Sequence, residues 1–187
     1  MAAFASRRAT TLNSSLFLNS TENETEWAMA LLFVWQFTSV AARVLFEDSA
    51  FDDFMWTWHR DVGVLLFTLL LMRGAWRLLN VSRRPTSVSV MAKLGHLLLY
   101  ALMLVVPLVA LLRQYGSGRS LSAFGIPLMP GFEGPEIEWM VALGSIFHGL
   151  LGWPLLVLIL GHVAMVAIHR RYAHHDVLTR MAGSPSR

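Results

Sequence analysis

The sequence contains no cysteine and few charged residues. Without cysteine the chain cannot hold a thioether-attached haem, a cysteine-ligated iron–sulfur cluster or a disulfide. Charged residues make up only 14% of its 187 residues, whereas 55% are hydrophobic and the mean hydropathy is +0.52. This balance predicts an integral membrane protein. Any metal must then be bound by histidine, carboxylate, methionine or a tetrapyrrole.

Four apolar stretches are long enough to cross a bilayer, which takes about 20 residues of helix. They cover residues 27–46, 56–79, 91–113 and 139–168. The sequence therefore predicts an all-α, four-helix bundle in the membrane. Residues 1–26 are expected to form a disordered extension, residues 169–187 a cytoplasmic tail, and the Gly- and Pro-rich segment 116–135 an irregular outer cap.

Basic residues beside the spans predict the orientation, because Lys and Arg collect on the cytoplasmic side. The first loop is acidic, whereas the loop between the second and third spans and the tail contain Arg77, Arg83, Arg84, Lys93, Arg170, Arg171 and Arg180. We expect both termini to be cytoplasmic and the chain to be a multi-pass protein of the cell inner membrane. The pI of about 9.9 reflects these residues and does not indicate nucleic-acid binding.

Two histidines of the fourth stretch, His148 and His162, stand fourteen residues apart. Fourteen helical steps place both imidazoles within about 40° of one face, about 21 Å apart along the axis. Histidine within a hydrocarbon layer is costly and usually faces a partner or a cofactor. The spacing therefore suggests two stacked ligand positions, and polar bonding between helices is the alternative.

Antiparallel threading places the other histidines at matching depths. His59 is early in the second span, as His148 is in the fourth, so both are expected toward the outer leaflet. His96 and His162 are expected toward the inner leaflet. Opposed histidines on facing helices are typical of bis-histidine haem b sites. Small residues that would give clearance for such a ring are Gly63, Gly144, Gly149, Gly152 and Gly161.

Single side chains in this set also have ordinary structural explanations. His59 alone fits an interfacial anchor, and His96 alone fits a hydrogen-bonded packing residue. Three arginines near the span ends fit haem propionates or simple span-end anchors: Arg43, Arg73 and Arg77. Histidines at or beyond the end of the last span fit contacts with water or lipid phosphate.

Over residues 24–182 the chain resembles four-helix membrane cytochromes b, particularly the bacterial cytochrome b561 group that includes superoxide:ubiquinone oxidoreductase. The resemblance is carried by His59 with Gly63 and Arg73, by Leu94-Gly95-His96-Leu97-Leu98-Leu99-Tyr100 with Pro107, by Phe124-Gly125-Ile126-Pro127, by His148 and His162, and by Leu178-Thr179-Arg180-Met181.

The resemblance implies that His59 and His148 are the iron ligands of an outer haem. It also implies an inner haem between His162 and a histidine at the start of the first span. This chain has Glu26-Trp27 at that point. Three outcomes follow: His162 ligates alone or with Glu26, His96 is recruited, or the inner haem is absent.

The function implied is one-electron transfer between an outer-face donor and ubiquinone, with superoxide as the leading donor candidate. By analogy, ubiquinone would bind near Lys93, His96 and His169. Two alternatives are a haem subunit of a larger dehydrogenase that docks a redox partner protein, and a non-redox metal transporter using the same histidines. A transporter would need carboxylates beside the histidines at mid-depth, where the spans have none. A structural anchor without cofactor would show no visible absorbance.

Overall fold

The computed structural model is mostly helical and describes residues 25–80 and 90–172, without the side chains of Arg77, His169, Arg170 and Tyr172. Its elements are α1 (Thr25–Leu45), α2 (Ala50–Leu79), α3 (Val90–Gly116), β1 (Leu121–Ala123), β2 (Ile126–Met129) and α4 (Glu138–Tyr172). The expected all-α class is thus confirmed apart from one small hairpin. Most of the expected extension and tail, and the Leu178–Met181 segment, lie outside the described residues.

Three of the described helices are long and apolar enough to cross a membrane: α1, α3 and the part of α4 from Glu138 to Ile168. Apolar side chains such as Val157 and Leu160 are exposed along α4, as expected of helices that contact lipid. In α2 the charge-free stretch runs only from Val62 to Met72. Crossing of the membrane by α2 therefore stays a prediction.

The second helix begins at residue 50 rather than at the expected residue 56. Ser49 caps its N-terminus, since the Ser49 hydroxyl accepts from the Asp52 N–H at 3.1 Å. Asp52 and Asp53 lie in the first turn, where a negative charge is favourable near the helix N-terminus. The acidic residues assigned to the first loop thus belong partly to α2.

One compact unit contains α1, α2 and the hairpin. The Asp52 carboxylate is fully buried and accepts from Arg43 Nη1 of α1 at 2.5 Å. The Arg43 guanidinium also lies over the Trp56 ring, 4.9 Å from its centroid. These contacts join the last turn of α1 to the first turns of α2, because a buried carboxylate is tolerated only when it is paired.

The segment expected to be irregular contains an antiparallel hairpin of β1 and β2. Its two turn residues, Phe124 and Gly125, have φ of +50° and +77°, as a tight hairpin turn requires. The Phe124 N–H donates to Asp61 Oδ2 of α2 at 2.9 Å. The expectation was wrong because strands of three and four residues, with Pro127 in one of them, give almost no alternating pattern.

The other compact unit contains α3 and α4, which pack closely together. A Cβ at Gly144 of α4 would approach the Val109 carbonyl oxygen and Arg113 Cβ of α3 to well under 3.0 Å. A Cβ at Gly116 would lie 2.5 Å from Met140 Cβ. Gly144 was predicted to give clearance for a cofactor. In the structure its missing side chain is what lets the two helices approach.

We therefore expect Gly144→Ala to lower the thermal unfolding midpoint of the detergent-solubilised protein. Overpacking of this kind costs about 1–3 kcal/mol, which exceeds the gain of about 1 kcal/mol from replacing a helical glycine. The matched control is Gly74→Ala in α2, where none of the described atoms lies within 4 Å of an added Cβ. Equal midpoints for the two variants would contradict the close approach of α3 and α4.

Candidate functional site

His59 of α2 is held by two polar residues of α1. The Ser39 hydroxyl is fully buried, and its oxygen lies 2.7 Å from His59 Nδ1. The same hydroxyl donates to the Gln36 carbonyl oxygen at 2.7 Å. Because its only proton is used in that bond, Ser39 accepts from the imidazole. The neutral His59 ring therefore has its proton on Nδ1 and its lone pair on Nε2.

The Gln36 side chain lies against the same histidine. Its Nε2 donates to the His59 carbonyl oxygen at 2.9 Å and is 3.4 Å from His59 Nε2. A carbonyl oxygen can only accept a hydrogen bond, so the nitrogen of the Gln36 amide, not its oxygen, faces the His59 carbonyl. Because the same amide nitrogen lies beside His59 Nε2, a lone pair on that ring nitrogen is favoured. A Cβ at Gly63 would lie 2.9 Å from Gln36 Nε2. In this structure Gly63 thus accommodates the Gln36 side chain, and its role as clearance for a macrocycle stays a prediction.

A tryptophan also contacts His59. The Trp56 ring stacks on the imidazole with centroids 4.9 Å apart and an interplanar angle of 18°. Asp61 is only two residues from His59, but its Oδ2 accepts from the hairpin. The imidazole plane is therefore set by α1 and by the preceding turn of α2.

His148 of α4 is oriented in a similar way by α3. Its Nδ1 lies 3.0 Å from the Val106 carbonyl oxygen, immediately before Pro107. The carbonyl only accepts, so Nδ1 carries the proton and Nε2 the lone pair in the neutral ring. Among the described residues, no atom would lie within 4 Å of a Cβ added at Gly149 or Gly152. Both glycines stay consistent with clearance beside this histidine.

His96 and His162 lie together between α3 and α4. Their ring centroids are 5.4 Å apart, and the planes meet at 64° in an edge-on contact. Apart from its chain neighbours and the adjacent backbone of α4, no described atom would lie within 4 Å of a Cβ at Gly161, beside His162. The sequence grouped these two histidines at one depth, and the structure brings their rings into contact.

Glu26, which occupies the position where the resemblance expects a histidine, forms an ion pair with Arg73 of α2. The Arg73 side chain is largely buried, whereas that of Glu26 is about half exposed. Arg43, the second arginine considered for haem propionates, binds Asp52. Both arginines thus have carboxylate partners within this unit of the chain.

Two residues next to His59, Gln36 and Ser39, were not identified from the sequence. They stand three residues apart in an otherwise apolar span, so they share one helix face. Polar side chains inside a span usually face the protein interior, so this spacing could have identified Gln36 and Ser39 as interior residues.

Comparison with known proteins relates this chain to a family. Residues 27–184 match the family described as prokaryotic cytochrome b561. The chain is also 31% identical to cytochrome b561 homolog 2 of Escherichia coli (strain K12) over 136 residues, which are 68% of this chain and 70% of that protein. The chain belongs to the prokaryotic cytochrome b561 family. Membership implies a membrane protein that binds haem b and takes part in electron transfer, in agreement with the resemblance.

The histidines described above fit a haem b of this family. Iron is bound by a neutral imidazole nitrogen, and a hydrogen bond from the other nitrogen sets the tautomer and the ring orientation. His59 and His148 both have the required acceptor at Nδ1, which leaves Nε2 as the ligating nitrogen. At His59 the Gln36 amide, whose Nε2 lies 3.4 Å from His59 Nε2, would have to move aside for the iron. Glu26 has no imidazole, and its Oε1 is paired with Arg73.

Proposed function

We propose that the chain binds one haem b, with His59 and His148 as axial ligands, and carries single electrons between an outer-face donor and ubiquinone. The observation that supports the ligand pair is the matching tautomer of the two histidines, set by Ser39 in one case and by the Val106 carbonyl in the other. When bound, haem b supplies a reversible one-electron couple. The chain supplies ligation and orientation.

The proposed donor is superoxide and the proposed acceptor is ubiquinone. In the net reaction two superoxide anions each give up one electron and leave as dioxygen. Ubiquinone takes up the two electrons and two protons to become ubiquinol. We place the quinone near Lys93, His96 and His169, where imidazole groups would deliver protons to its oxygens. The contact between His96 and His162 supports this placement by grouping two imidazoles at one end of α3 and α4.

The orientation in the proposal follows from the basic residues. Arg83 and Arg84 lie between α2 and α3, and Arg170 and Arg171 lie in the last turn of α4, whereas the turn between α1 and α2 is acidic. We infer cytoplasmic termini in the inner membrane, with His59 and His148 toward the outside. The acidic turn and the hairpin would then face the donor.

We further propose that the inner haem of the family is absent. His162 lacks the histidine expected at position 26, and the carboxylate of Glu26 is already engaged by Arg73 through Oε1. Separating the largely buried Arg73 from this carboxylate would leave its charge without a counter-ion, at a cost that is reduced because Glu26 is half exposed. Iron ligation by Glu26 would therefore have to offset this cost.

The loss of one haem favours a second candidate function, a haem subunit of a larger dehydrogenase. In that role a partner protein would take over one end of the electron path. A metal transporter has less support. In the described parts of the chain, no three His, Asp or Glu side chains form a group able to hold a metal ion, and Asp61 beside His59 binds the hairpin.

The test measures the haem content and the redox reactions of the full chain purified in detergent. We expect close to one haem b per polypeptide, reduction of that haem by a superoxide-generating system, and no reduction when superoxide dismutase is present. Addition of a soluble ubiquinone should reoxidise it. Haem without response to superoxide would favour the dehydrogenase subunit, and no haem would refute the electron-transfer proposal.

A further inference from the structure

We infer that Ser39 is a positioning residue for the outer haem and sets its reduction potential through His59 Nδ1. The inference rests on the proposed role of His59 as an axial ligand. Ser39 does not contact the iron in this arrangement. It acts through the imidazole.

The geometry of the hydroxyl carries the inference. Ser39 is fully buried between α1 and α2, and its oxygen is 2.7 Å from His59 Nδ1. Its proton is donated to the Gln36 carbonyl oxygen one turn back on the same helix. This second bond fixes the direction of the hydroxyl. Ser39 can therefore only accept the hydrogen bond from His59 Nδ1. A serine hydroxyl without the bond to Gln36 could rotate and donate instead.

The electronic consequence follows from the direction of that bond. An acceptor on the Nδ1 proton makes the imidazole a stronger electron donor through Nε2. A stronger donor stabilises the ferric state over the ferrous state and lowers the potential. Gln36 assists by placing an amide N–H toward Nε2, which disfavours the other tautomer before the iron is bound.

Ser39→Ala and Ser39→Cys give a graded test. Alanine removes the acceptor, and a thiol of similar size keeps only a weak one. We expect the midpoint potential of the outer haem to rise in the order wild type, Ser39→Cys, Ser39→Ala. Loss of haem to apomyoglobin should accelerate by about 10- to 100-fold in the alanine variant, the range typical when a ligand loses its hydrogen-bond partner.

Two controls separate positioning from packing. Ser39→Thr keeps the hydroxyl and should retain the wild-type potential. Thr38→Ala removes the neighbouring hydroxyl, which bonds only to its own helix through the Val34 carbonyl in the contacts described, and should also leave the potential unchanged. The cysteine variant provides the readout if the alanine variant does not accumulate, because it preserves the volume at this buried position.

The possible results distinguish this inference from the proposed function. A wild-type potential in both Ser39→Cys and Ser39→Ala would overturn it. Equal shifts in Thr38→Ala would also overturn it, since they would point to a general effect of α1. If wild type held no haem, or if His59→Ala kept its haem spectrum, the proposed function itself would fail.

Discussion

Replacing His59 or His148 with alanine is expected to remove the low-spin haem b spectrum of the purified protein. Haem per polypeptide should fall at least about tenfold in each variant, because losing even the hydrogen-bond partner of a ligand weakens metal binding by about 10- to 100-fold. The pyridine haemochrome assay and the reduced-minus-oxidised spectrum measure this directly. Equal losses from the two variants are expected, since bis-histidine haem needs both axial ligands.

The matched control for these variants is His96→Ala. His96 is also a histidine of an apolar helix, and its ring contacts His162. Haem content should stay at the wild-type level in this variant. If His96→Ala lost the haem while His148→Ala kept it, the ligand assignment would be wrong and the outcome in which His96 is recruited would gain support.

The helices could be predicted because each contains a long apolar stretch, which is visible in the amino-acid sequence. Apolar stretches predicted all four helices, and the ends of α3 and α4 lie within a few residues of expectation. The start of α2 was missed because a Ser-capped, acidic first turn has the composition of a loop. The hairpin was missed because its anchor, the bond from Phe124 to Asp61, joins residues 63 positions apart.

The surroundings of the site were harder to predict than the histidines themselves. The fourteen-residue spacing identified His148 and His162, because helix periodicity places them on one face. The bonds of His59 to Ser39 and Gln36 depend on how α1 and α2 are aligned along each other. That alignment cannot be read from a single sequence. Gly63 shows the same limit, since the Gln36 side chain that lies against it belongs to the other helix of this pair.

Replacing Glu26 with histidine is expected to raise haem b from about one to about two per polypeptide. The resemblance pairs this position with His162, so the substitution would supply the missing axial imidazole. It would also release Arg73 from its carboxylate, and an arginine near a haem is a natural partner for propionates. Redox titration should then show a second one-electron component, which is absent from the wild type if Glu26 is not an iron ligand.

Two further variants make the Glu26→His result decisive. Glu26→Gln breaks the ion pair with Arg73 without adding an imidazole, so its haem content should remain near one. Glu26→His combined with His162→Ala should return to one haem, because the restored site then loses its other ligand. If Glu26→Gln lost haem, Glu26 would be a ligand in the wild type. Folded Glu26→His protein with only one haem would show that the glutamate at position 26 does not explain the absence of the inner haem. The contact of His162 with His96 would then have a role other than haem binding.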